Sequence, residues 1–253
     1  MIAFFGVSTL LFVASSTLTV LWCASMSAMG GMPMPGGWTM SMAWMRMGGQ
    51  TWAVAAATFV GMWIVMMLAM MLPSLVPMLW RYRQSVGSTG ETRLDRLTAL
   101  AGVGYFFVWT AFGMAAFPLG VAVATIAMRQ PAVARAVPIA VGVVVLIAGF
   151  LQFTAEKARH LACCRETSAT FPADPGALRY GVRLGLHCVG CCANLMAILL
   201  VIGVMDLRAM AVVATAISVE RLAPAGERVA RVIGAVVVGA GLLLIARASM
   251  PVS

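Results

Sequence analysis

Residues 187–205 read HCVGCCANLMAILLVIGVM, an imidazole and three thiols at the head of an apolar run about long enough to cross a bilayer. The run is one of several. With 253 residues, 62% hydrophobic and 10% charged, and a mean hydropathy of +0.98, the chain departs from soluble globular composition. Apolar segments lie at about 3–25, 52–79, 98–127, 136–155, 184–205, 208–222 and 231–247, joined by short connections. The expected fold is all-α, a polytopic transmembrane helix bundle forming one membrane domain over residues 1–253. Six or seven spans are expected, because the segment at 208–222 is short and ends on Glu220 and Arg221.

The net charge of +9 does not point to nucleic acid, since the arginines are scattered through the connections and form no basic helix or tail. Their distribution reports orientation. With the N-terminus inside, twelve cationic residues fall on the inner side: Arg81, Arg83, Arg93, Arg96, Lys157, Arg159, Arg165, Arg179, Arg183, Arg221, Arg228 and Arg231. Five fall outside: Arg46, Arg129, Arg135, Arg208 and Arg247. Cationic loops are retained in the cytoplasm, so a cytoplasmic N-terminus follows. No Lys or Arg precedes the first apolar segment, which reads as a retained helix rather than a signal cleaved near Ala28.

Residues 26–50 form a Met-rich outer loop. Met26, Met29, Met32, Met34, Met40, Met42, Met45 and Met47 are eight methionines in 22 residues, broken by Pro33, Pro35 and paired glycines. Thioether sulfur selects Cu(I) over hard divalent ions, so the loop suits metal capture. The alternative is an interfacial loop whose Met, Trp38 and Trp44 dip into headgroups. In the second span Met62, Met66 and Met70 recur every fourth residue, with Met67 and Met71 beside them and Pro73 and Pro77 beyond. That stripe is either a soft-ligand path or adaptable packing between helices.

On the cytoplasmic side His160, Cys163 and Cys164 lie across a short loop from His187, Cys188, Cys191 and Cys192. Helical spacing brings His187 to Cys191, and Cys188 to both Cys191 and Cys192. A helix N-terminus and the neighbouring Arg179 and Arg183 would favour thiolates there. Three readings stay open: a metal site, a redox dithiol, and buried small apolar cysteines. Met196 extends the soft face inward, and Cys23 reads as a packing residue. Asn194 reads as a helix-to-helix hydrogen bonder, and Glu156, Lys157 and Glu220 as interfacial charges, unless Glu220 lies within the membrane. The sequence shows no Ser-His-Asp constellation, phosphate loop or hydrolytic carboxylate pair, and its two histidines are too few for a bis-imidazole haem or three-histidine copper centre.

These residues also carry a resemblance. The chain resembles a bacterial family of predicted metal-binding integral membrane proteins whose defining domain has no assigned function. The matching landmarks, over about residues 60–225, are Met62-Trp63, Met66-Met67, Ala69-Met70-Met71 and Pro73; Lys157, Leu161 and Cys164-Arg165; Gly185, His187-Cys188, Gly190 and Cys191-Cys192; Gly203-Val204-Met205; and Glu220 with Pro224. His160 stands where the family pattern has a first cysteine, and Arg221 where it usually has lysine. The resemblance implies a metal-binding protein of the bacterial inner membrane.

The combined expectation is a Cu(I)-handling protein, with zinc as the second candidate ion, bound through His160, Cys163, Cys164, His187, Cys188, Cys191, Cys192, Met62, Met66, Met67, Met70 and Met71. Its surroundings would be the lipid bilayer, and its partner a soluble metallochaperone or a membrane metalloenzyme complex. The alternatives are a thiol-disulfide oxidoreductase using Cys188 and Cys191, or a structural or assembly subunit of a membrane metalloenzyme.

Overall fold

The computed structural model describes residues 2–28, 30–46, 48–86, 90–166 and 176–250. Met29 and Met47 of the methionine loop lie outside the described residues, as does the Arg165 side chain. The elements are α1 Ile2–Ala28, β1 Met32–Met34, β2 Trp38–Met40, α2 Trp52–Val86, α3 Glu91–Arg129, α4 Pro131–Leu151, α5 Ala155–Glu166, α6 Ala177–Ile202, α7 Leu207–Leu222 and α8 Gly226–Ser249. Six of these, α1, α2, α3, α4, α6 and α8, are long and apolar enough to cross a membrane. The segment expected at 208–222 is α7, whose 16 residues reach only about 24 Å at a helical rise of ~1.5 Å per residue. That is short of a hydrocarbon core of about 30 Å.

Helix ends depart from the apolar windows for local reasons. The expected span at 136–155 stops at Leu151, and Thr154 restarts the chain as α5 by accepting the Lys157 N–H at 3.3 Å, the role of an N-cap side chain. Gly203, at φ 146°, ends α6 where a Cβ would be strained. Asp206 then caps α7 by accepting the Arg208 and Ala209 N–H groups at 2.8 and 3.0 Å. At the other end α6 begins at Ala177, two turns before the apolar window, because Arg179 and Arg183 lower the hydropathy without breaking the helix.

Helix α2 is central. Its buried positions recur in pairs, Met62/Trp63, Met66/Met67, Met70/Met71, Ser74/Leu75 and Met78/Leu79, so both methionine rows face protein rather than lipid. Pro73 and Pro77 lie within it and leave the Ala69 and Pro73 carbonyls without their helical N–H donors. Helix α1 is peripheral, with only Ser15 and Cys23 buried. The most extensive helix pairs are α4 with α8 and α3 with α6. The second is a close backbone crossing: a Cβ on Gly104 would strike the Leu178 carbonyl, and one on Gly181 the Ala101 carbonyl. Small residues allow such approach where lipid offers helices no hydrophobic drive to associate.

The methionine loop is folded rather than open. Met32 pairs with Met40 and Met34 with Trp38 across an antiparallel hairpin. Met34 and Met40 are buried against Ala124, Ala127 and Ala134 at the α3–α4 corner, and the Trp38 indole donates to the Ala134 carbonyl at 2.9 Å. Two of its methionines thus form a small satellite core with the helix ends.

Candidate metal centre

Cys188, Cys191 and Cys192 project from α6, and their sulfurs all lie within 4.8 Å of one another. Cys191 Sγ is 3.3 Å from Cys192 Sγ, and Cys188 Sγ is 3.8 Å from Cys192 Sγ. The spacing follows from sequence, since residues one, three and four apart on a helix fall on one side. Cys164 reaches the group from α5, with its Sγ 3.9 Å from Cys191 Sγ. The four thiols are buried and all are free. Hydrogen bonding to Cys191, then burial, hold the Cys164 thiol well above its ordinary range.

This donor set fits a soft ion. Two sulfurs each about 2.3 Å from one ion are at most ~4.6 Å apart, and the spacings of 3.3 and 3.8 Å within α6 fall inside that limit. Thiolates suit Cu(I) and zinc, and reject hard cations.

The electrostatic source differs from the sequence expectation. Cys188 is the twelfth residue of α6, whereas a helix-terminus field is spent within the first turn, and Arg179 and Arg183 are exposed. The cation at the thiols is Arg221, from the end of α7 and only 3% exposed. Its guanidinium donates to Cys188 Sγ at 3.1 Å, Ser74 Oγ at 2.9 Å, Tyr105 Oη at 3.3 Å and Met78 Sδ at 3.0 Å. Tyr105 Oη also lies 2.9 Å from Cys188 Sγ. Because its oxygen accepts from Arg221, its proton is free to point at that sulfur.

Lys157 and Glu220 are not the simple interfacial charges that their helix-end positions implied. Both are buried, and Lys157 Nζ pairs with Glu220 Oε2 at 2.7 Å. Lys157 also donates to the Cys191 carbonyl, and Gln152 Nε2 donates to Glu220 Oε1 at 2.7 Å. A Lys157 stem leaving α5 thus ties α7 to the backbone of the cysteine turn. Glu156, by contrast, is exposed as an interfacial charge should be.

Of the expected ligands, the structure brings Cys164, Cys188, Cys191 and Cys192 together. His160 and His187 form an adjoining half-buried pair with ring centroids 6.0 Å apart. The His160 ring lies over Gly190, where a Cβ would come within 2.8 Å of it. Cys163 is half-buried on α5. Among the described residues, the group close enough to share one ion contains the three α6 cysteines and no histidine. Met62, Met66, Met67, Met70 and Met71 line the buried face of α2. Cys23 packs as expected, its Sγ 3.9 Å from Met205 Sδ, and Asn194 Nδ2 donates to the Ala148 carbonyl of α4 at 3.2 Å.

Ser74, Met78 and Tyr105 are neighbours of the site that the sequence reading does not single out, and Arg221 reads in the sequence as an inner-side cation and a position of family resemblance rather than as a partner of the thiols. The first two continue the every-fourth-residue row of Met62, Met66 and Met70 by two more steps, so their signal was present. Tyr105 had none. A cavity of about 660 Å³ between α7 and α8 is an apolar groove that touches none of the cysteines. A smaller one of about 240 Å³ reaches Gln152, Lys157 and Leu161, next to the ion pair.

Fold and site together define a polytopic helix bundle that gathers buried thiols from α5 and α6 against a buried arginine. Residues 60–244 match the PpoB2 family, described as copper chaperone, and the chain belongs to that family. No curated protein and no solved structure matches the chain. The copper chaperone family agrees with the metal-related family that the sequence resembles, and with copper as the ion.

Proposed function

We propose that the chain is an inner-membrane carrier of Cu(I), which collects the ion at the methionine hairpin, passes it along Met62, Met66 and Met70, and holds it at Cys188, Cys191 and Cys192. The observation that carries this reading is the group of three buried α6 sulfurs within 4.8 Å of one another, with Cys164 alongside. Copper is cargo here rather than a resident cofactor. Ligand strength rises along the route: neutral thioethers exchange quickly, and anionic thiolates give the ion a reason to stop. His160, His187 and Cys163 flank the thiols on the α5 side, where a soluble metallochaperone or a membrane metalloenzyme would receive the ion. The N-terminus is cytoplasmic in this reading, which the arginine distribution supports.

The burial of Cys188 and Cys191, at 0% and 1% exposure, favours this reading over thiol-disulfide exchange with proteins, which needs an accessible thiolate. Purified in detergent under reductant and offered Cu(I) against a competing chelator, the wild type is expected to retain about one Cu(I) per chain and to prefer it to Zn(II). In proteoliposomes loaded from the hairpin side, a Met62→Leu, Met66→Leu, Met70→Leu variant is expected to fill more slowly to the same final content. Absence of retained Cu(I) overturns the reading, and an unchanged filling rate removes the methionines from the route.

A further inference from the structure

A guanidinium taken out of water is costly unless an opposite charge faces it. Arg221 is 3% exposed, yet its hydrogen-bond partners are a hydroxyl, a phenol, a thioether and a thiol. Among the described residues no carboxylate ion-pairs with it, and its chain neighbour Glu220 turns instead to Lys157 and Gln152. The groups beside Arg221 that can take up a negative charge on binding a metal are the thiols, and the sulfur it touches is Cys188. The side chain also stands between the two kinds of sulfur, 3.0 Å from Met78 Sδ and 3.1 Å from Cys188 Sγ.

We propose that Arg221 is the counter-charge of the loaded thiol cluster, and that it makes the site select a soft monovalent cation. This inference rests on the copper reading and deepens it. As a monovalent ion binds, two S–H protons leave, two metal–sulfur bonds form, and no electron changes hands. The product carries one net negative charge, which Arg221 cancels. A divalent ion on the same two sulfurs gives a neutral complex, which leaves the guanidinium without a counter-charge where water is excluded. With a divalent ion, the complex and Arg221 together reach neutrality only by recruiting a third thiolate from the same buried group. Arg221 is thus a specificity-determining residue, acting through charge while thiolates supply the bonds.

The test compares Cu(I), Ag(I) and Zn(II) affinities, by chelator competition under reductant, in the wild type, Arg221→Lys, Arg221→Gln, and Arg221→Gln combined with Met78→Lys. A thermal melt is recorded for each. Arg221→Gln is expected to bind Cu(I) and Ag(I) about tenfold or more weaker, the size of one pKa-unit-scale charge interaction, and to lose its preference over Zn(II). Arg221→Lys is expected to stay within about threefold of wild type, since the charge remains. The double variant returns the charge from α2, and is expected to recover most of the loss whether or not Arg221→Gln alone folds well. Wild-type affinity in folded Arg221→Gln overturns the proposal, as does equal weakening in Arg221→Lys, or a folded double variant without recovery. If the wild type binds neither monovalent ion, the copper reading itself falls, a result distinct from these.

Discussion

A variant with Cys188, Cys191 and Cys192 all changed to serine is expected to lose essentially all tightly held Cu(I), measured as metal per chain after chelator challenge. Serine keeps the size and much of the hydrogen bonding, including a donor for the Cys188 carbonyl that Cys191 Sγ contacts at 3.3 Å. It replaces three soft donors with hard ones that Cu(I) binds poorly. Folding should be affected less than binding, at roughly 1–3 kcal/mol for each hydroxyl left without a partner. Cys164→Ser is expected to cost less, because Cys164 adjoins the group only through Cys191. Copper kept by the triple variant would move the holding site to the methionines of α2. Mixed disulfides trapped by Cys191→Ser alone would revive the oxidoreductase reading.

The largest expected loss of stability comes from Glu220→Leu. The Lys157–Glu220 pair has side chains only 4% and 2% exposed, and removing one partner leaves a buried, uncompensated ammonium, typically costing about 3–5 kcal/mol. Lys157 also holds the Cys191 carbonyl, so the damage should reach the metal site as weaker copper retention. Glu220→Leu with Lys157→Met removes both charges and is expected to recover part of the stability, since an apolar replacement of a buried pair is often near neutral. Thermal and denaturant melts in detergent check this. A single variant within about 0.5 kcal/mol of wild type, the range of an ordinary surface change, would mean that the pair carries no structural weight.

What the sequence made legible follows from the range over which each feature is encoded. Long apolar runs report membrane helices directly, and six of them stand. The α6 cysteines were readable because a helix turns a spacing of one, three and four residues into one cluster. Cys164 was readable because it precedes the α6 cysteines closely in the sequence. Helix α5 was hidden, since its charged sequence has no apolar period, and the restart at Thr154 depends on a single cap. Arg221, Lys157 and Glu220 were hidden for another reason. A charge at a helix end looks the same whether it meets water or a partner, and only the packing of α5 and α7 beneath α6 decides. The hairpin likewise depends on alanines about ninety residues away at the α3–α4 corner.

The claim that thiols of α6 hold Cu(I) is tested most directly by X-ray absorption at the copper edge, on wild-type protein loaded with one equivalent of Cu(I). The expected spectrum has a monovalent edge and a first shell of sulfur alone, at low coordination number and without imidazole scattering. A first shell dominated by nitrogen or oxygen would contradict it, because no arrangement of Cys188, Cys191 and Cys192 round one ion yields that shell.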